Sequence, residues 1–164
     1  MGYVHGWHFL APFTDEEWVK IINAFCDLVQ HAAQDGLSVC LSDVDDCVSM
    51  ADIVNERSRL LQDHSKALRV SVLNDYGVPF MLGKEGNVYW SPFGEPEQYA
   101  YIKLFRGNSY DELVVAMLCY LASFFPDNIS VSSDGRRPDW YKGLLLAQQV
   151  FGPDVAMPSG IRSE

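Results

Sequence analysis

The stretch SYDELVVAMLCYLASFF, residues 109–125, is the segment that decides the predicted fold. Ser109 and Glu112 have the spacing of a capping box at a helix start, and Pro126 ends the pattern. Apolar side chains cover nearly the whole circumference between these points, which is typical of a buried helix. The apolar-rich run Leu113 to Phe125 has 13 residues, whereas a membrane span needs about 18 or more. We therefore predict a central core helix here.

The chain on either side of this helix alternates between helical and strand-like patterns. A capping box at Thr14 to Glu17 starts an amphipathic helix, and two more helical patterns lie near residues 50–61 and 138–151. Alternating or short apolar runs predict strands near residues 3–10, 37–42, 68–73, 78–82, 88–90, 99–105 and 129–131.

The order of these elements predicts an α+β protein. About four helices pack on an antiparallel or mixed sheet of about 6–7 strands. At 164 residues the chain has the size of one domain, which we place at residues 1–152. Residues 153–164 are predicted to be a loose C-terminal tail.

Charge narrows the kinds of partner. Twelve Lys and Arg face 22 Asp and Glu, giving a formal charge of −10. This charge disfavours non-specific binding to nucleic acid or to an anionic membrane, because both need a basic surface. Residues 1–56 hold ten of the acids and one base, Lys20, so the first third carries −9. A basic protein surface is the partner that this acidic region fits.

The cysteines and histidines do not predict a metal site or a cofactor. Four scattered cysteines form no C-x-x-C pair, and the start of the chain has no signal-peptide pattern. We therefore expect reduced thiols and a cytoplasmic location. The four histidines lack metal-ligand spacing, and His5 and His8 should point to opposite faces of a strand.

Clustered carboxylates follow the predicted strand at residues 37–42. Asp43, Asp45 and Asp46 could hold Mg²⁺ and supply a nucleophile. The phrase is similar to the first motif of the haloacid-dehalogenase-type phosphohydrolases. That resemblance implies Asp43 as nucleophile and Asp45 as acid/base. The alternative reading is an acidic connecting loop in which an Asp caps the next helix.

A second candidate site lies around residues 130–142, where a strand, a small-residue turn and a helix start follow one another. Backbone N–H groups in such a segment can cradle an anion. The residues predicted to bind the ligand are Arg136, Arg137 and Lys142, which can pair with phosphate, Trp140, which can stack on a base, and Lys103 and Arg106, from the end of the preceding strand. The alternative is a plain turn with solvated arginines and a core tryptophan.

The C-terminal half resembles a group of small uncharacterised proteins of bacteriophages and other large DNA viruses. The similarity rests on Tyr101 to Lys103, Ser109 to Asp111, Val114 with Val115, Ile129 to Gly135, and Trp140. Leu104 stands where that family often has Thr. The resemblance covers about a third of the chain and implies an accessory protein that acts on host machinery by binding.

These observations favour a binding protein over an enzyme, and the resemblance to small viral proteins implies a viral anti-defence or host-takeover factor in particular. Two versions stay open: sequestration of a phosphate-bearing signalling molecule at the basic segment, or docking of the acidic first third on a basic host protein. A Mg²⁺-dependent phosphohydrolase using Asp43 and Asp45 is the alternative. The sequence leaves self-association into a homo-oligomer open.

Overall fold

We describe the protein from a computed structural model, which defines residues 2–41, 49–72, 80–86, 99–105 and 109–163. The elements in chain order are β1 (Gly2–Phe9), α1 (Asp15–Gln34), β2 (Val39–Cys40), α2 (Met50–Gln62), β3 (Leu68–Val72), β4 (Phe80–Leu82), β5 (Tyr99–Phe105), α3 (Ser109–Phe124), β6 (Ile129–Ser133) and α4 (Arg137–Phe151). The chain divides into two compact units: unit 1 combines Met1–Ala11 with Tyr99–Glu164, and unit 2 is Pro12–Gln98.

Unit 1 is a three-stranded antiparallel sheet with two helices. The strand order is β5-β1-β6, so the N-terminal strand is central although its partners come from the other end of the chain. Helices α3 and α4 pack against each other, and Gly143 allows their close approach because a Cβ there would collide with Val115. The core contains Trp7, Trp140 and most of α3.

Unit 2 pairs helices α1 and α2 with the antiparallel sheet β2-β3-β4. Both helices begin with a complete capping box, formed by Thr14 with Glu17 and by Ser49 with Asp52. The apolar stripe of α1 is buried from Trp18 to Ala32, which confirms the amphipathic helix predicted there. Phe80, Leu68 and Leu82 supply the core from the sheet.

The α+β class and the four helices are confirmed, but the sheet differs from the prediction. The described strands form two small antiparallel sheets instead of one sheet of six or seven strands. The predicted strand at residues 88–90 lies outside the described residues. The predicted single domain over 1–152 is divided between the two units, because the strands of unit 1 come from both ends of the chain.

The predicted loose tail packs on unit 1 instead. Val155 and Ile161 are buried, and Ser123 accepts a hydrogen bond from the N–H of Ala156 and donates one to its carbonyl. Apolar side chains in the last residues therefore add to the core of unit 1. Within the described part of the chain, no helix has the length and apolar content needed to cross a membrane.

Candidate functional site

A chain of three polar side chains crosses the interior of unit 1. His5 on β1 lies with its Nε2 atom 2.8 Å from Asp111 Oδ1 on α3, and its Nδ1 atom 2.8 Å from Ser133 Oγ on β6. His5 is 0% exposed and Asp111 4%. A carboxylate only accepts, so the His5 Nε2–H donates to Asp111 and leaves Nδ1 facing the Ser133 hydroxyl. These two hydrogen bonds join β1 to α3 and to β6.

The turn after β6 is attached to β1 by further hydrogen bonds. Asp134 accepts from the N–H of Val4 through Oδ1 at 2.6 Å, and its own N–H donates to the Val4 carbonyl at 3.1 Å. The N–H of Gly135 donates to Ser133 Oγ at 2.9 Å. The segment Ser133 to Gly135 therefore extends the β1–β6 pairing and sets where α4 begins.

The Ser133–His5–Asp111 chain has the residue types of a nucleophilic triad, but its burial favours a structural role. The rings of Trp140 and His5 make a T-shaped contact, with ring centroids 4.9 Å apart and ring planes at 75°. Because His5 is wholly buried, a substrate cannot touch the imidazole, and a general base must also reach the leaving group. The sequence reasoning missed this chain, since its members are 106 and 128 residues apart.

The predicted anion cradle of backbone N–H groups is wrong for the start of α4. The N–H of Arg136 donates to Asp139 Oδ2 at 2.8 Å, and that of Arg137 donates to the Arg162 carbonyl at 2.8 Å. The Asp139 N–H donates to the Arg136 carbonyl, and Pro138 has no N–H. The carboxylate of Asp139 already occupies the place that an anion would take.

A cluster of exposed cations remains at this end of unit 1. A parallel backbone bridge joins Arg136 to Arg162, which brings Arg162 beside Arg136 and Arg137. These three arginines and Lys142 are exposed, and their side chains form no ion pair or hydrogen bond within the described residues. We call Arg136, Arg137 and Arg162 the arginine cluster. Lys142 lies five residues after Arg137 on α4, about 140° around the helix, and is not part of this cluster. Arg162 was not predicted, because it lies in the segment taken for a loose tail.

The other predicted ligand-binding residues are Trp140, Lys103 and Arg106. Trp140 is 0% exposed, so its ring has no face available for stacking on a base, and that part of the prediction is wrong. The backbone of Lys103 lies in β5 opposite Val4, but its side chain and all of Arg106 lie outside what the structure describes.

The acidic candidate site, Asp43, Asp45 and Asp46, also lies outside the described residues. Elsewhere in the described ranges, no group of three or more His, Cys, Asp or Glu is placed to hold a metal ion. The buried thiols are poor nucleophiles: burial raises the pKa of Cys26 to about 11 and that of Cys119 to about 12.

The chain matches no protein-family model, and no curated protein or solved structure is significantly similar to it. The geometry of the arginine cluster is therefore the starting point for a functional proposal.

Proposed function

We propose that this protein is a non-enzymatic binding protein that captures a phosphate-bearing small molecule at the arginine cluster. One observation carries the proposal: an acidic chain of charge −10 places three exposed arginines side by side, without ion-pair partners among the described residues. Unpaired arginines with planar donor forks are suited to bidentate contacts with phosphate oxygens.

The backbone N–H groups at the start of α4 already donate within the protein, and this limits how such a ligand would be recognised. Since the N–H groups from Asp134 to Asp139 are donated within the protein, the guanidinium groups must supply the contacts. Side-chain cations in water attract a phosphate by charge, so affinity should rise with the number of phosphate groups and fall as salt increases. We therefore favour a nucleotide with two or more phosphates over inorganic phosphate.

The proposed setting is a viral accessory protein in the host cytoplasm that sequesters a host signalling nucleotide. This setting rests on the resemblance of the C-terminal half to small viral proteins. Within unit 1, Ser133 to Gly135, which carry part of the resemblance, directly precede Arg136 in sequence. Trp140, which carries another part, is a buried residue in the first turn of α4.

Thermal unfolding with a nucleotide panel tests the proposal. The probes are inorganic phosphate, adenosine triphosphate and a cyclic dinucleotide. A ligand at 100 times its dissociation constant stabilises the protein by about 2.7 kcal/mol, which gives a clear shift in Tm. The variant Arg136→Ala/Arg137→Ala should lose this shift, because it removes two of the three arginines of the cluster.

A matched control removes two positive charges elsewhere. Arg59→Ala/Lys66→Ala alters exposed residues of unit 2 and should keep the ligand-induced shift. A nucleotide effect that is equal in the two double variants would refute the arginine cluster as the site, as would the absence of any shift. Phosphate release that needs Mg²⁺ and disappears in Asp43→Asn would support the phosphohydrolase instead.

A further inference from the structure

The outer edge of β6 carries backbone groups that the sheet does not use. At the two ends of the β1–β6 ladder, the Leu10 N–H donates to the Asn128 carbonyl and the Asp134 N–H donates to the Val4 carbonyl. Hydrogen-bonded pairs alternate along an antiparallel ladder, so between these ends Ser130 and Ser132 are the β6 residues that bond to β1. The N–H and carbonyl of Val131 therefore point away from β1. Ile129 donates its N–H to Phe125, which leaves its carbonyl on the same outer side.

A cavity of about 400 Å³ lies at this edge. Its walls are β6, the end of α3 and residues 156–160 of the C-terminal segment. This volume is within the range of sites that bind small ligands, roughly 300–1,000 Å³. Backbone groups at the wall of a cavity need hydrogen-bond partners from whatever fills it.

The C-terminal segment leaves only part of the edge accessible. A Cβ on Gly160 would lie 3.1 Å from the carbonyl oxygen of Val131, so this residue covers that acceptor closely. The carbonyl of Ile129 and the N–H of Val131 remain. In a parallel sheet, a residue of the neighbouring strand would donate its N–H to the Ile129 carbonyl and accept from the Val131 N–H with its own carbonyl. The spacing around Ser130 thus fits one residue of an extended strand.

We propose that this cavity is a peptide-binding site, in which an extended segment of a partner protein pairs in parallel with β6 opposite Ser130. Addition of a strand to an exposed sheet edge is a common form of peptide recognition, in which main-chain hydrogen bonds supply affinity. The site is separate from the arginine cluster and does not depend on the proposed function.

The uncharged lining of the cavity indicates which peptide side chains can enter it. None of the residues that line the cavity is ionisable. A charged side chain entering it would lose hydration without gaining a partner of opposite charge. The inserted residues are therefore uncharged, with Leu10, Ile129 and Met157 offering apolar contacts.

Selection from a displayed library of random peptides tests the site on the full chain. Val131→Pro removes the N–H donor, and an outward-facing edge position tolerates proline because the ladder to β1 does not use that N–H. Ala122→Phe fills the cavity from α3 instead. We expect enriched, uncharged peptides that bind the wild-type protein at least tenfold more tightly than either variant.

The controls separate this proposal from the proposed function. Arg136→Ala/Arg137→Ala should bind the enriched peptides as the wild type does, even though it loses the nucleotide effect. Circular dichroism verifies that each variant is folded, and a peptide N-methylated at the residue opposite Ser130 gives the same test on the unmodified protein. Failure to enrich any peptide, or equal affinity of the N-methylated and unmodified peptides, overturns the proposal.

Discussion

The two units differ in where their paired charged and polar residues lie. Among the described residues, the buried polar or charged ones are His5, Asp111 and Asn128, which is 9% exposed, and all three are in unit 1. In unit 2, Arg57 contacts Asp27 at 2.7 Å, with the two side chains 28% and 54% exposed. Exposed Asp15 accepts from His64 and Lys84, and these hydrogen bonds lower its pKa.

This difference shows that the two units are specified by different means. Unit 1 joins elements distant in sequence through buried hydrogen bonds, which are costly to break because the remaining partner is left unsatisfied. Unit 2 relies on amphipathic helices with local caps, and its surface ion pairs are weak because water screens them.

Asp111→Ala should lower the free energy of unfolding by about 3 kcal/mol, because it leaves the buried His5 imidazole without its acceptor. Asp27→Ala, at the surface pair of unit 2, should cost less than about 1 kcal/mol. Urea unfolding measures both, and hydrogen exchange should locate the Asp111 effect in α3 and β1. Equal costs would mean that burial does not distinguish the two pairs.

Gly143→Ala should destabilise unit 1 by about 2 kcal/mol, because the added methyl group collides with Val115 in a packed interface. The Glu112 carbonyl, 3.1 Å from the new atom, limits the room for α4 to move. Val115→Gly in the same chain removes both of the colliding atoms, Cγ1 at 2.3 Å and Cβ at 2.5 Å, and a double-mutant cycle should measure the coupling. Additive costs would show that the helices adjust without strain.

Thr14→Ala and Ser49→Ala should each cost about 1 kcal/mol, since each removes a side-chain cap from a helix of unit 2. Arg136→Ala, at the N-cap of α4, should leave stability nearly unchanged because that side chain makes no capping bond. Thermal unfolding of the three variants tests the contrast. A large loss in Arg136→Ala would reveal a structural role for the arginine cluster.

Alkaline pH should weaken both units slightly. In the folded protein, burial raises the pKa of Cys26 to about 11 and that of Cys119 to about 12. Unfolding exposes both thiols and returns their pKa to the ordinary value of 9.0. The free energy of unfolding is therefore unaffected below about pH 9 and falls as pH rises above it. Urea unfolding at pH 8 and pH 10 measures the change, and Cys26→Ser/Cys119→Ser should reduce the slope.

The helices were predictable because their signals are local. The capping box at Thr14 and the apolar stripe that follows it predicted α1, and the apolar circumference with Pro126 predicted α3. The division into two sheets was not predictable, since the alternation of a strand shows which residues are apolar but not which strand is its neighbour.

The candidate site was predictable only in part for the same reason. Arg136 and Arg137 are recognisable in the sequence as a basic pair at a helix start, but Arg162 joins them only through the backbone contacts with Arg136 and Arg137. A tryptophan at position 140 is compatible with stacking on a ligand and with burial in the core, and the sequence does not distinguish the two. The structure shows that Trp140 packs on His5 in the core.

The helices, their caps and the acidic charge of the chain follow from the sequence alone, because these features depend on residues three or four positions apart or on composition. Tertiary packing places β1 between β5 and β6 and brings His5 to Asp111 and Ser133. Contacts over 106 and 128 residues form only when packing and strand register offset the entropy of closing long loops. No local pattern in the sequence records that balance.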